Sequence, residues 1–112
     1  MRRAARTDGN HKEIVAAFRK LGVSVRQTYQ LPDGGGDIVV GVHGFNVLVE
    51  IKDGNLSPSK RELTPDEQVF RDDWKGWHEI VESIDDVVAL VADLALWSKR
   101  LEEYGWKWTT GK

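Results

Sequence analysis

Asp37, Glu50 and Lys52 are the residues whose types and spacing best suit chemistry. Two carboxylates offer hard oxygen ligands to magnesium, which favours octahedral oxygen coordination and keeps several waters. The backbone carbonyl of Ile51 offers a third oxygen. A metal held this way lowers the pKa of a bound water and neutralises charge building on a phosphate. Lys52 adds a compact cation on a flexible stem, able to orient the attacking water or to meet transition-state charge. The chemistry expected is metal-assisted phosphodiester hydrolysis.

These side chains must be brought together by strands. Residues 37–42 read as one strand, Gly44-Phe45 as a tight hairpin turn and residues 46–52 as the next strand. Strand side chains alternate between faces, so Val47, Val49 and Ile51 share one face and Glu50 and Lys52 the other. Antiparallel folding of the hairpin carries Asp37 back to the Glu50 end. The apolar character of residues 46–52 predicts a central, buried strand. Ahead of the hairpin, residues 23–29 alternate as a half-exposed strand, and the loop 31–36 breaks it.

Helices frame this unit. Asn10 with Glu13 three residues on has the spacing of a capping box, and Ile14, Ala17, Phe18 and Leu21 make a core-facing stripe over residues 11–21. Gly22 is its stop signal. After a polar loop, Thr64-Pro65-Asp66-Glu67 is a strong start for a second helix reaching about residue 75, presenting Phe70 and Trp74. Residues 77–82 predict a fourth strand. Ser83 with Asp86 opens a last helix that buries Val87, Leu90, Val91, Leu94, Trp97 and Leu101 and ends at Gly105; the run 87–91 also fits a strand. The order is helix, three-strand meander, helix, strand, helix, an α/β arrangement with a mixed central sheet flanked by helices.

Gly36-Asp37 followed across a hairpin by Glu50-Ile51-Lys52 resembles the D…ExK signature of the PD-(D/E)XK nuclease superfamily. Its element order is similar to that superfamily's restriction-endonuclease-like core. The resemblance is nearest to the Holliday-junction-resolvase and VRR-NUC branches, where an N-terminal helix donates a carboxylate to the metal, as Glu13 would here. Gln68 matches a glutamine often found on the helix after the ExK strand, and Leu63-Thr64-Pro65 also resembles VRR-NUC members. The resemblance spans roughly residues 10–100 and implies DNA hydrolysis with magnesium, or manganese as a substitute, often by a homodimer. It implies that Asp37, Glu50, Ile51 and Glu13 surround the metal, with Lys52 and Gln68 completing the catalytic set. One departure is Gly36, where the family pattern has proline.

Plainer readings stand beside these. Glu50 and Lys52 also fit a solvent-facing ion pair, and Glu13 a simple helix cap. Gly34-Gly35-Gly36 lacks the GK[ST] ending of a phosphate cradle and precedes a strand, so it reads as a loop. His11, His43 and His78 show no metal-ligand spacing and read as structural or exposed. Trp74, Trp77, Trp97, Trp106 and Trp108 read as core or interface residues, with base stacking by the last two the alternative. Arg2, Arg3, Arg6, Lys60 and Arg61 are candidates for DNA phosphate contacts, or loose surface charge.

The totals set bounds. The 112 residues fit a single domain, 10–112, behind a basic arm, 1–9. No cysteine is present, which removes disulfides, thiolate zinc sites and cysteine nucleophiles. No apolar run is long enough to span a membrane, and the basic N-terminus lacks the apolar stretch of a secretory signal, so a cytoplasmic location, in a bacterial or phage-infected cell, is expected. A net charge of −2 counts against a general nucleic-acid binder, although clustered carboxylates lower the total by themselves. The expectation is a structure-selective endonuclease on branched DNA. Its rivals are a restriction-like or repair nuclease on duplex or flap DNA with a partner, and a non-catalytic DNA-binding or assembly module.

Overall fold

The computed structural model describes residues 8–31 and 36–106. Helix α1 (His11–Lys20) is followed by strands β1 (Ser24–Gln27), β2 (Ile38–Val42) and β3 (Phe45–Ile51). A short 3-10 turn (Pro58–Arg61) lies within the expected polar loop. Helix α2 (Pro65–Asp73), strand β4 (His78–Val81) and helix α3 (Ile84–Glu103) complete the elements among the described residues. The sheet order is β1-β2-β3-β4, antiparallel in the first two pairs and parallel between β3 and β4. This is the mixed sheet with flanking helices expected of a restriction-endonuclease-like core, with β3 central between two partners.

Alternation divides β3. Val47, Val49 and Ile51 point into the core with Ile38, Val40 and Val81, where α1 supplies Ile14, Val15 and Phe18 and α3 supplies Val87, Leu90 and Leu94. Each such large side chain taken from water contributes roughly 1.5–3 kcal/mol. The run 87–91 is helical. Ser83 Oγ accepts from the Asp86 backbone N–H, capping a helix long enough to reach across the sheet.

Three local expectations are corrected. The turn residues are His43 and Gly44, both at positive φ as a two-residue hairpin of this hand requires, and Phe45 begins β3. Asn10 and Glu13 do not form a capping box. The Asn10 amide instead donates to the Lys52 and Glu82 carbonyls, tying the start of α1 to the ends of β3 and β4. Leu21 is half exposed because the buried stripe of α1 is His11, Ile14, Val15 and Phe18, rotated away from the edge that carries Ala17 and Leu21.

Candidate active site

The site lies where β2 begins and β3 ends. Ile38 pairs with Val49, so continuing the register by one residue sets Asp37 opposite Glu50. The Asp37 N–H donates to the Val49 carbonyl at 2.8 Å, and its carboxylate Oδ2 accepts from the Ile51 N–H at 2.7 Å. The side chain is therefore held from both ends. Gly36 has φ +86, and a Cβ there would sit 3.0 Å from the Val49 carbonyl oxygen. That φ is closed to proline, whose ring holds φ near −65°. The glycine that departs from the family pattern thus makes the approach of Asp37 to β3 in its own way.

Glu50 and Lys52 occupy the face of β3 opposite the core and are nonetheless only 5% and 9% exposed. A solvent-facing ion pair on an edge strand is excluded by this burial and by the central place of β3. Lys52 Nζ donates to Glu67 Oε1 at 2.7 Å. Glu67 comes from the first turn of α2, where the expected capping box is complete: Thr64 Oγ1 accepts from the Glu67 N–H, and Glu67 Oε1 accepts from the Thr64 N–H at 2.8 Å. One carboxylate oxygen thus fixes the start of α2 and the ammonium together. On the same side, the Phe70 ring lies 6.0 Å from that of His78 on β4 and stacks on Trp74.

The electrostatics follow from crowding carboxyl groups in a sheltered place. Burial, then hydrogen bonding to Glu67 and the charge of Asp37, push the Glu50 carboxyl up to about 10, so in the absence of a cation it keeps its proton. Burial also raises Asp37, opposed by the Ile51 N–H and by a hydrogen bond from Glu50. Burial works against the charge on Glu67, but hydrogen bonds from Glu50, Lys52 and Thr64 outweigh it and hold the group at about 2. Burial likewise disfavours charged Lys52, and Glu67 more than compensates, leaving its pKa raised. Asp8 is raised by burial and lies close enough to feel Lys52, Asp53 and Glu67.

Asp37, Glu50 and Lys52 are therefore brought together as the spacing required. Glu13 is exposed on α1 and makes no hydrogen bond or ion pair with them among the described residues. Gln68 is exposed on α2, and the residue α2 turns into the cluster is Glu67. Its capping-box position was the signal that could have found it, since that box fixes the side chain's rotamer. The amide N–H of Ile51 is engaged with Asp37. His11 is buried, its Nε2 2.6 Å from Gln27 Oε1 and its ring edge-on to Tyr29. Arg61 is paired with Glu82 at 2.6 Å, while Lys60 is exposed. Trp77 packs against the core, whereas Trp74, Trp97 and Trp106 are substantially exposed. Arg2, Arg3, Arg6 and Trp108 lie outside the described residues.

Among the described residues no group of three or more His, Asp or Glu side chains is arranged to hold a metal ion. Magnesium, however, is commonly bound by one or two carboxylates, with water and substrate phosphate filling the rest of its shell. Asp37 and Glu50, set opposite each other by the β2–β3 register, offer oxygen donors that suit such a cation.

No family model and no curated protein matches the chain. Among solved structures, one described as a "VRR_NUC domain" is similar at a TM-score of 0.50 and 26% sequence identity, covering 73% of this chain and 89% of its own. With the mixed sheet, the similarity supports a VRR-NUC-like nuclease fold of the PD-(D/E)XK kind.

Proposed function

We propose that this protein is a metal-dependent endodeoxyribonuclease that hydrolyses phosphodiester bonds in branched DNA, with the four-way Holliday junction as its preferred class of substrate. The observation that carries the reading is the pair of apposed carboxyl groups, Asp37 and Glu50, with the Lys52 ammonium beside them on the face of β3 away from the core. The VRR_NUC neighbour supports a nuclease, and the resolvase-like signature supports branched DNA. Asp37 and Glu50, with the Ile51 carbonyl, would hold magnesium or manganese, which when bound activates water and neutralises phosphate charge. Asp37 is pre-positioned by the Ile51 N–H, so little reorganisation opposes binding. Glu50 would have to release the proton it otherwise keeps in order to serve as a ligand. Lys52, held by Glu67, would meet the negative charge that develops on the phosphate. Glu13 and Gln68 remain proposed auxiliaries, and Arg2, Arg3, Arg6, Lys60 and Arg61 proposed phosphate contacts. A homodimer would present two such sites to two strands.

The test is magnesium-dependent cleavage of fluorescent four-way junctions, flaps and linear duplex. Glu50→Ala and Lys52→Ala should each lower the rate by about 10²–10³-fold, as expected when one transition-state contact is removed. Asp37→Asn should abolish cutting while DNA affinity stays equal or rises, because negative charge facing the phosphate is removed. Wild-type protein inert with both metals would favour a binding module. Cutting of linear duplex at one sequence would end the junction assignment.

A further inference from the structure

The side of α3 turned away from the core is not an ordinary polar surface. Asp85, Val88, Ala89, Ala92, Ala95, Leu96 and Lys99 are all exposed. Val88 and Leu96 are 51% and 46% accessible. Asp85, Ala92 and Lys99 follow one another at heptad spacing, as do Val88 with Ala95 and Ala89 with Leu96, so these residues form one straight seam along the helix. The core residues Val87, Leu90 and Leu94 take the opposite side.

The seam matches itself about a twofold axis through Ala92. In an antiparallel pair centred there, Val88 meets Leu96 of the other copy and Ala89 meets Ala95, with alanines letting the two backbones approach. Asp85 then faces Lys99 of the other copy, twice by symmetry. Neither Asp85 nor Lys99 has an ion-pair partner within the chain among the described residues. Arg100 is directed elsewhere, its guanidinium 5.4 Å over the Trp97 ring. Antiparallel packing also sets the positive end of each helix dipole beside the negative end of its partner. A parallel pair would instead place Asp85 against Asp85 and Lys99 against Lys99.

We infer that α3 is a self-association surface: two copies of this chain pair antiparallel through the seam from Asp85 to Lys99, with reciprocal Asp85–Lys99 ion pairs at its ends. The inference rests on the homodimer of the proposed function and names its surface; the test needs neither metal nor DNA, so its failure leaves the cleavage assay of the nuclease reading untouched. Its test is the mass of the full chain across a concentration series, by sedimentation or light scattering. Wild type should show a monomer–dimer equilibrium. Asp85→Lys and Lys99→Asp should each weaken self-association by about ten-fold or more, since two attractions become two repulsions. An equal mixture of these two variants should recover wild-type association as a heterodimer, a rescue that only contact between chains can produce. Leu96→Glu should leave a monomer, with its circular dichroism unchanged because the site is exposed. A wild type that stays monomeric throughout, single variants that associate like wild type, or a mixture without rescue would each overturn the pairing.

Discussion

On one face of β3, Val47, Val49 and Ile51 are sealed under α1 and α3. On the other, Glu50 and Lys52 are almost equally sheltered, yet they are charged groups or groups that pay to avoid charge. The core face is satisfied by shape alone and needs nothing further. The site face is satisfied by a retained proton on Glu50 and by one shared carboxylate, Glu67, and it would be better satisfied by a cation. The same strand thus holds a finished surface and an unfinished one, a single residue out of phase. Burial of polar groups that stay underserved is where binding chemistry is expected, because a ligand gains what the fold left undone.

Damage to the core face should be the most costly. Phe18→Ala removes the largest fully buried side chain and should cost about 3–5 kcal/mol in denaturant unfolding. Stabilisation by magnesium should survive in the protein that remains folded. A loss below about 1 kcal/mol would mean that α1 is not part of the core it is seen to fill.

The site face should respond in the opposite sense. The Glu50 carboxyl, at about 10 when folded and near 4.5 when unfolded, binds a proton in the folded state that the unfolded chain releases. Its contribution is therefore full below pH 4.5 and is lost as pH rises towards 10. Glu67, held at about 2, works the other way, its contribution present above 4.5 and lost as pH falls towards 2. Glu50→Gln should flatten the alkaline limb, raise metal-free stability at pH 8 by about 1–2 kcal/mol and abolish the rise in Tm caused by magnesium. A variant less stable than wild type in chelator, or still stabilised by magnesium, would contradict the role given to Glu50.

The smallest effect tests the support behind the site. Thr64→Ala removes the α2 cap hydroxyl and should cost about 1 kcal/mol, with cleavage falling by no more than a few-fold because the Thr64 N–H still holds Glu67. A collapse of activity at unchanged stability would show that the hydroxyl reaches beyond the cap.

Short-range patterns made much of this legible. Alternation in residues 47–52 put Glu50 and Lys52 on one face, the hairpin brought Asp37 to them, and Thr64 to Glu67 announced α2. Where two local readings competed, the pattern could not choose. Asn10 with Glu13 has the same spacing as Thr64 with Glu67, yet only the second is a capping box, because the Asn10 amide is drawn away by the Lys52 and Glu82 carbonyls. Those carbonyls are distant in the chain and invisible to a local motif.

Local periodicity was enough to set the order of elements, the central strand and the three residues at its charged end. Long-range packing is what turns Glu67 rather than Gln68 towards Lys52, leaves Glu13 exposed and buries His11. The difference is one of range. Helix and strand spacing act over a few residues, whereas which carboxylate meets which ammonium depends on how α1 and α2 settle against the sheet.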